Sequence, residues 1–157
     1  MTTTDRARIL FVCYGNICRS TMAQFVMLHL AHERGLEHAF EIDSAATSRE
    51  EIGNDVHHGT RRKLAREGIP CGHHRARQMT RADYDRFDLI IGMDAENLWG
   101  MRRILGEDPE GKVHLLLDWS SRPRDIADPW YTGNFDVTFD DVMEGCTTLL
   151  DHLIDGR

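Results

Sequence analysis

Short apolar runs alternate along this chain with longer stretches that have the character of helices. The short runs predict buried strands at 9–13, 40–44, 87–92 and 113–117. The longer stretches predict helices at about 20–34, 55–67 and 94–105, and a last one whose apolar stripe runs from Phe139 to Leu153. Strands that alternate with helices indicate an α/β fold, a Rossmann-like sheet of four parallel strands flanked by helices on both faces.

This alternation is not broken by an internal repeat, a low-complexity tract or a Pro/Gly-rich linker. We therefore expect residues 1–157 to form a single domain, with residues 1–6 as a flexible N-terminus. In parallel sheets of this type, ligands bind beyond the carboxyl ends of the strands, near the point where the strand order reverses. The loop after the first predicted strand, residues 13–20, is the expected place for a site.

The composition narrows the class of function. Apolar residues make up 41% and charged residues 29% of the chain, and the net charge is −7. An acidic protein is a poor partner for a nucleic acid or an anionic membrane, because phosphate contacts need basic side chains. An anionic substrate is still compatible with it, since backbone N–H groups and one arginine can make a pocket locally positive.

The cysteines and the start of the sequence predict a reducing cytoplasm as the location. Four cysteines are too few for a disulfide scaffold and lack the paired C-x₂-C spacing of structural zinc. The apolar run 9–13 is too short for a signal peptide or a membrane span. The pairs His57-His58 and His73-His74 do not indicate a metal, because neighbouring side chains are expected to point to different sides.

The loop 13–20 reads Cys-Tyr-Gly-Asn-Ile-Cys-Arg-Ser and carries the candidate chemistry. A loop wrapped around a tetrahedral anion turns its N–H groups inward, and some residues then take unusual backbone angles, which Gly15 and Asn16 tolerate. The helix that follows adds free N–H donors and the positive end of its dipole. Arg19 can bond two phosphate oxygens in a planar fork.

The same field is expected to stabilise the thiolate of Cys13. A thiolate at the floor of an anion-binding loop is positioned to attack phosphorus and form a cysteinyl-phosphate, and Ser20 could hydrogen-bond the sulfur as it leaves. The plain alternative is a buried strand cysteine followed by an arginine that caps a helix by chance. The whole C-x₅-R-S string between a strand and a helix favours the catalytic interpretation.

Five segments of the chain resemble the low-molecular-weight protein tyrosine phosphatases, in that family's order. They are Phe11 to Ser20, Asp43 to Ser48 with Ile52-Gly53-Asn54, His74 to Gln78, Met93-Asp94 with Asn97, and Asp128 to Tyr131. Five segments are more specific than C-x₅-R alone, which unrelated phosphatase folds also use. The resemblance implies a hydrolase without cofactor or metal, acting on a phosphotyrosine-containing protein or a small aryl phosphate.

The resemblance also implies the role of Asp128. Alone, Asp128-Pro129 is typical of a turn, although it lies at the same end of the predicted sheet as the 13–20 loop. In the family this position is the general acid, which protonates the leaving oxygen and then activates water. Pro129 is expected to keep the backbone of Asp128 extended.

Further roles are implied within and around the loop. Cys18 matches a partner that traps oxidised Cys13 as a reversible disulfide. The resemblance assigns phosphate binding to the loop residues Tyr14, Gly15, Asn16, Ile17, Cys18 and Ser20. It assigns a hydrogen-bond network that braces the loop to Asn16, Ser20, Ser44 and His74.

The substrate pocket is implied by three positions. Trp130 and Tyr131 match the family's aromatic wall, which suits a flat aryl phosphate. Glu50 stands where an aromatic residue is common, and this acid, adjoining Glu51, could widen the cleft or repel acidic peptides.

Two loop positions bear on the substrate and on the helix. Ile17 is the residue type of the tyrosine phosphatases in the family, whereas threonine there marks the related phosphoarginine phosphatases. Thr21 replaces a common proline and is expected to loosen the start of the helix slightly.

Two rival functions fit parts of the pattern. A thioredoxin-coupled arsenate reductase shares the fold and the loop but needs a downstream pair of redox cysteines, and only Cys71 lies mid-chain. A non-catalytic phosphate-binding module would lack the nucleophile or the acid, whereas Cys13, Arg19 and Asp128 are all present. For the assembly we expect a monomer or a weak dimer.

Overall fold

The computed structural model describes residues 6–156 and contains one parallel four-stranded sheet. Most of the predicted flexible N-terminus, residues 1–5, lies outside the described residues. The strands follow the order β2-β1-β3-β4 across the sheet, and they are β1 (Ala7–Cys13), β2 (Phe40–Ala46), β3 (Leu89–Gly92) and β4 (Val113–Leu115). The predicted fold class is confirmed. From β1 the chain adds β2 on one side and then β3 and β4 on the other, so the strand order switches at β1.

The helices lie on both faces of this sheet. They are α1 (Arg19–Glu33), α2 (His58–Arg66), α3 (Ala82–Arg86), α4 (Ala95–Leu105), α5 (Pro129–Thr132) and α6 (Phe135–Asp155). The sequence did not predict the short helices α3 and α5. Strand β3 begins later than predicted, because Phe87 still caps the end of α3. Its N–H donates to the carbonyl of Asp83.

Strand β4 is two residues shorter than predicted. The chain turns after Leu115 into a 3₁₀ helix over Leu116–Trp119, and the carboxylate of Asp118 accepts the N–H of Leu115 at 2.9 Å. Leu116 and Leu117 are nevertheless buried, in the same core as α6. These two residues are apolar because they pack in the core beside α6, even though they lie just after β4.

Strand β1 divides the core into two parts through its alternating side chains. Ile9 and Phe11 face the larger core, which α1 and α6 cover. Leu10 and Val12 face the smaller core, to which α4 contributes Met101. Because both faces are buried, the strand is apolar at every position from Ile9 to Cys13.

Helix α2 meets α6 at a close contact. A Cβ atom added to Gly59 would lie 2.3 Å from the ring of Phe135, so any larger residue would have to displace that ring. This contact fixes the start of α2 against the start of α6. Within residues 6–156, no helix is both long enough and apolar enough to cross a membrane.

Candidate active site

The 13–20 loop leaves the carboxyl end of β1 and runs into α1, as predicted. Asn16 carries its left-handed backbone, with φ of 61°, and is fully buried. Gly15, expected to share this role, does not have a positive φ. An added Cβ there would lie 3.3 Å from Cγ of Glu51, so a larger residue would require the Glu51 side chain to shift by a few tenths of an ångström.

Asn16 is the centre of the hydrogen-bond network around the loop. Its Nδ2 donates to Ser20 Oγ at 2.9 Å, and its Oδ1 accepts the N–H of Arg77 at 3.1 Å. His74 Nε2 lies 2.7 Å from its carbonyl oxygen. Ser44 does not join this network, because its hydroxyl donates to Gln24 Oε1 on α1 at 2.5 Å.

The sulfur of Cys13 is buried among hydrogen-bonding groups. Its Sγ lies 3.1 Å from Ser20 Oγ and accepts the N–H of Asn16 at 3.3 Å. Helix α1 begins beside it without a side-chain cap and without an acidic residue in its first turn. Thr21 ties this turn rather than loosening it, because its buried hydroxyl lies 2.8 Å from the carbonyl oxygen of Ile17.

Arg19 is 2% exposed and held on one side by two acceptors. Its Nη1 donates to Asp94 Oδ2 at 2.6 Å and to the carbonyl of Ile126 at 2.8 Å, while Nη2 lies 3.5 Å from Asp128 Oδ2. Burial opposes the charge, but the anions of Cys13, Asp94 and Asp128 outweigh it and raise the pKa of Arg19. Its Nε is buried and has no hydrogen-bond partner among the described residues.

Asp128 caps the short helix α5 rather than lying in an irregular loop. Its backbone is extended (φ −83°, ψ 114°) before Pro129, as expected, and its Oδ1 accepts the N–H of Trp130 at 3.0 Å. The residue before it is also fixed, because the hydroxyl of Thr138 donates to the carbonyl of Ala127 at 3.0 Å. The other oxygen, Oδ2, faces Arg19.

Cys18 lies in the loop with its side chain buried. Burial, followed by the charge of Cys13, raises the pKa of the Cys18 thiol to about 12. With this pKa Cys18 is a neutral thiol at physiological pH, so it does not compete with Cys13 for attack on phosphorus.

A cavity of about 110 Å³ opens above the loop. Cys13, Cys18 and Arg19 contribute to its lining, and so do the three predicted pocket residues Glu50, Trp130 and Tyr131. The side chain of Tyr14 lines it as well and is 47% exposed. Tyr14 therefore adds an aromatic ring to the wall, a contribution that its predicted phosphate-binding role did not include.

His57 supports this wall from behind. Its ring meets that of Trp130 edge-on, with centroids 5.6 Å apart, and stacks on Phe135 at 5.4 Å. The expectation that neighbouring histidines diverge is wrong for His57 and His58, whose rings stack at 4.3 Å. Among the described residues, no group of three or more histidines, cysteines or acids could hold a metal ion.

From the sequence, no role in the site was assigned to Asp94, His57 or Thr138. A role for Asp94 could have been predicted, because it follows β3 at the same edge of the sheet at which the 13–20 loop follows β1. The roles of His57 and Thr138 could not have been predicted from the sequence, since their contacts depend on how α2 and α6 pack.

Fold and site together define an α/β protein with a Cys-x₅-Arg loop at the carboxyl end of its first strand. The family model of the low molecular weight phosphotyrosine protein phosphatases matches residues 8–156. The low molecular weight protein-tyrosine-phosphatase YfkJ of Bacillus subtilis is 44% identical over 144 residues, which cover 90% of this chain and 92% of that protein. The human low molecular weight phosphotyrosine protein phosphatase is 39% identical, over 88% and 87% of the two chains.

A solved structure gives the same result. The crystal structure of YfkJ from Bacillus subtilis superposes with a TM-score of 0.93 at 41% identity, covering 98% of each chain. The chain belongs to the low molecular weight phosphotyrosine protein phosphatase family. The predicted family is confirmed, and so is the prediction that the protein is a hydrolase.

Proposed function

We propose that this protein hydrolyses phosphotyrosine in proteins, or other aryl phosphate monoesters, through a cysteinyl-phosphate intermediate. Cys13 is the nucleophile, the 13–20 loop and Arg19 bind the phosphoryl group, and Asp128 is the general acid and base. No metal or cofactor takes part in these steps.

The unpartnered Nε of Arg19 is the observation that carries this proposal. A buried N–H without an acceptor is costly, and here it belongs to a guanidinium whose Nη1 is already fixed by Asp94. A phosphate oxygen would supply the missing acceptor, and a second oxygen could take Nη2, whose contact with Asp128 is long at 3.5 Å. Nε and Nη2 form the edge of arginine that binds phosphate in a two-bond fork.

In the first step the Cys13 thiolate attacks phosphorus, so that an S–P bond forms as the P–O bond to the leaving group breaks. The thiolate accepts N–H from Asn16, and with Asn16 Nδ2 donating to Ser20 Oγ, the Ser20 hydroxyl hydrogen is free to point at the sulfur. Asp128 gives its proton to the leaving oxygen. A bound dianion beside Asp128 favours the protonated carboxyl needed for this step.

In the second step water attacks the cysteinyl-phosphate. Asp128, now ionised, takes a proton from that water, the S–P bond breaks, and phosphate leaves with Cys13 restored as the thiolate. The Ser20 hydroxyl stabilises the departing sulfur. The same carboxyl therefore acts in turn as acid and as base.

The aryl preference rests on the pocket walls. Trp130, Tyr131 and Tyr14 surround the cavity above Cys13, and all three keep a large exposed surface that a flat ring could cover. Ile17 also lines the cavity and adds an apolar contact. A cytoplasmic location and a monomer or weak dimer stay predictions.

Hydrolysis of para-nitrophenyl phosphate in the presence of EDTA tests the chemistry. Cys13→Ser should abolish turnover, and Asp128→Asn should slow it at least 100-fold while vanadate still binds. Asp85→Asn, an exposed carboxylate on α3, is the matched control and should keep the wild-type rate. Wild-type activity in the Cys13→Ser protein would rule out this mechanism.

The two rivals give different results in the same preparation. An arsenate reductase would oxidise thioredoxin only when arsenate is present. A non-catalytic binding module would bind vanadate without turning over any phosphate ester. Turnover of the ester without arsenate or thioredoxin is the result that we expect.

A further inference from the structure

We propose, on the basis of the proposed phosphatase function, that Glu50 and Glu51 make this pocket select phosphotyrosine substrates with a positively charged side chain next to the phosphorylated residue. The proposal concerns specificity at the mouth of the cavity. It leaves the chemistry at Cys13 unchanged.

The charges that line the cavity are unbalanced. Its lining includes three carboxylates, those of Glu50, Glu51 and Asp128, against the single guanidinium of Arg19. Arg19 lies buried at the floor, paired with Asp94 and Asp128, and in the proposed mechanism it binds the phosphoryl group. At the mouth, therefore, a substrate meets acidic side chains without a compensating base in the lining.

The two glutamates differ in how free they are. Glu51 packs against Gly15 and accepts Asn54 Nδ2 at 2.9 Å, so one of its oxygens is occupied. Glu50 is exposed, and within residues 6–156 its carboxylate forms no salt bridge; it lies beside the Tyr14 hydroxyl, which brings no positive charge. Arg49 beside it is also exposed but does not line the cavity. Glu50 is therefore the main candidate for contact with a cation.

The turn that carries Glu50 is fixed to the 13–20 loop. Ser48 donates both its N–H and its hydroxyl to the carbonyl of Tyr14, at 3.1 and 2.8 Å. A hydrogen bond between the Tyr14 hydroxyl and the Glu50 carboxylate, followed by burial, raises the pKa of Tyr14. The acidic group is thus held beside one of the rings that would flank a bound phosphotyrosine.

The direction of selection follows from the signs. A substrate residue that leaves the cavity beside Glu50 is attracted if it is lysine or arginine and repelled if it is glutamate or aspartate. At about 4 Å in water, one such pair changes kcat/KM by about fivefold. Because the site is exposed, salt should weaken the preference.

The experiment measures kcat/KM for three phosphotyrosine peptides that differ only at the residues flanking phosphotyrosine, which are lysine, alanine or glutamate. We expect wild-type protein at low salt to prefer the lysine peptide over the glutamate peptide at least fivefold, and 0.5 M NaCl to reduce that ratio. Glu50→Gln should bring the ratio towards one, and Glu50→Lys should reverse it. Glu107→Gln, an exposed glutamate beyond the far end of α4, is the control and should keep the wild-type ratio.

Equal kcat/KM for the three peptides, or a ratio that Glu50→Gln and Glu51→Gln together leave unchanged, would overturn the proposal. Either result would leave the phosphatase function intact, because the peptides would still be hydrolysed. If neither para-nitrophenyl phosphate nor any of the peptides were hydrolysed, the phosphatase function itself would be contradicted.

Discussion

Asp94 Oδ2 lies 2.6 Å from Arg19 Nη1, across 75 positions of sequence. The other oxygen of Asp94 accepts the N–H of Asn97 and caps helix α4. One carboxylate therefore fixes both the start of α4 and the direction of the arginine proposed to bind phosphate. Its loss should affect stability as well as activity.

Asp94→Asn should lower the free energy of unfolding by about 3 kcal/mol, because it leaves the buried guanidinium of Arg19 without its nearest carboxylate. Asparagine is also a good helix cap, so α4 should keep its start. Urea unfolding followed by circular dichroism measures the change, with Asp85→Asn as control. A variant as stable as wild type would mean that Asp128 alone suffices to hold Arg19.

Asn16 offers a way to separate backbone strain from hydrogen bonding. Asn16→Ala and Asn16→Gly both lose the side-chain bonds to Ser20 and Arg77, but alanine must also adopt a φ of 61°. We expect both variants to be less active, and the alanine variant to be about 1 kcal/mol less stable than the glycine variant. Equal melting temperatures for the two would contradict the strain argument.

Thr138→Val should lower kcat for para-nitrophenyl phosphate several-fold while the affinity for vanadate stays the same. The valine keeps the shape of the side chain but removes the hydroxyl that holds the carbonyl of Ala127, next to Asp128. Thr148→Val is the control, because that hydroxyl contacts only the carbonyls of its own helix. A loss of vanadate binding in Thr138→Val would show that the hydroxyl supports the anion site instead.

His57 should make stability depend on pH. Burial, and then the neighbouring His58, lower the pKa of His57 from its ordinary value of 6.5, and its Nδ1 must be unprotonated to accept the N–H of Gly59. The unfolded chain therefore binds a proton more readily than the folded one, so the stabilisation is complete above pH 6.5 and is lost as the pH falls through the lower folded value.

Urea unfolding of wild type and His57→Asn between about pH 7.5 and 5 tests this dependence. Asparagine can cap helix α2 without titrating, so the variant should lose less stability as the pH falls. His38→Asn, at an exposed position outside the site, is the control. Identical slopes for wild type and His57→Asn would assign the pH dependence to other groups.

Cys18 should protect Cys13 from irreversible oxidation. Peroxide converts the Cys13 thiolate to a neutral sulfenic acid, which removes the Cys13 charge that helps to keep Cys18 protonated. The Cys18 thiol then condenses with the sulfenic acid, so that an S–S bond forms and water is released. After brief peroxide treatment, dithiothreitol should restore wild type but not Cys18→Ser, in which mass spectrometry should find sulfinic acid. Cys71→Ser should behave like wild type, and full recovery of Cys18→Ser would remove this role.

The sequence predicted the main parts of the fold and the site because they are local patterns. The runs at 9–13 and 40–44 recur as β1 and β2, and the C-x₅-R-S string lies between β1 and α1 as expected. The predictions were wrong where tertiary contacts determine the backbone conformation or the hydrogen-bond partner. Leu116 looks like strand sequence but is buried in a 3₁₀ turn, and Ser44 bonds to α1 rather than to the loop.

The partners of Arg19 show the same limit more clearly. Asp94 and Asp128 come from different loops, 75 and 109 positions away. Parallel strands bring these loops to one edge of the sheet, so the sequence could indicate that both carboxylates lie near Arg19. It could not indicate which of them accepts the hydrogen bond from Nη1. Likewise, the left-handed backbone falls on Asn16 and not on Gly15, although both residue types tolerate it.

Gly59 has no chemistry, yet it decides how closely helices α2 and α6 approach. Any side chain there would push away the ring of Phe135, which stacks on His57, and His57 in turn backs Trp130. In a library of single substitutions selected for turnover, substitutions at position 59 should therefore be depleted. Sequence variation at this position is limited by the volume that the Phe135 ring already occupies, although glycine takes no part in the reaction.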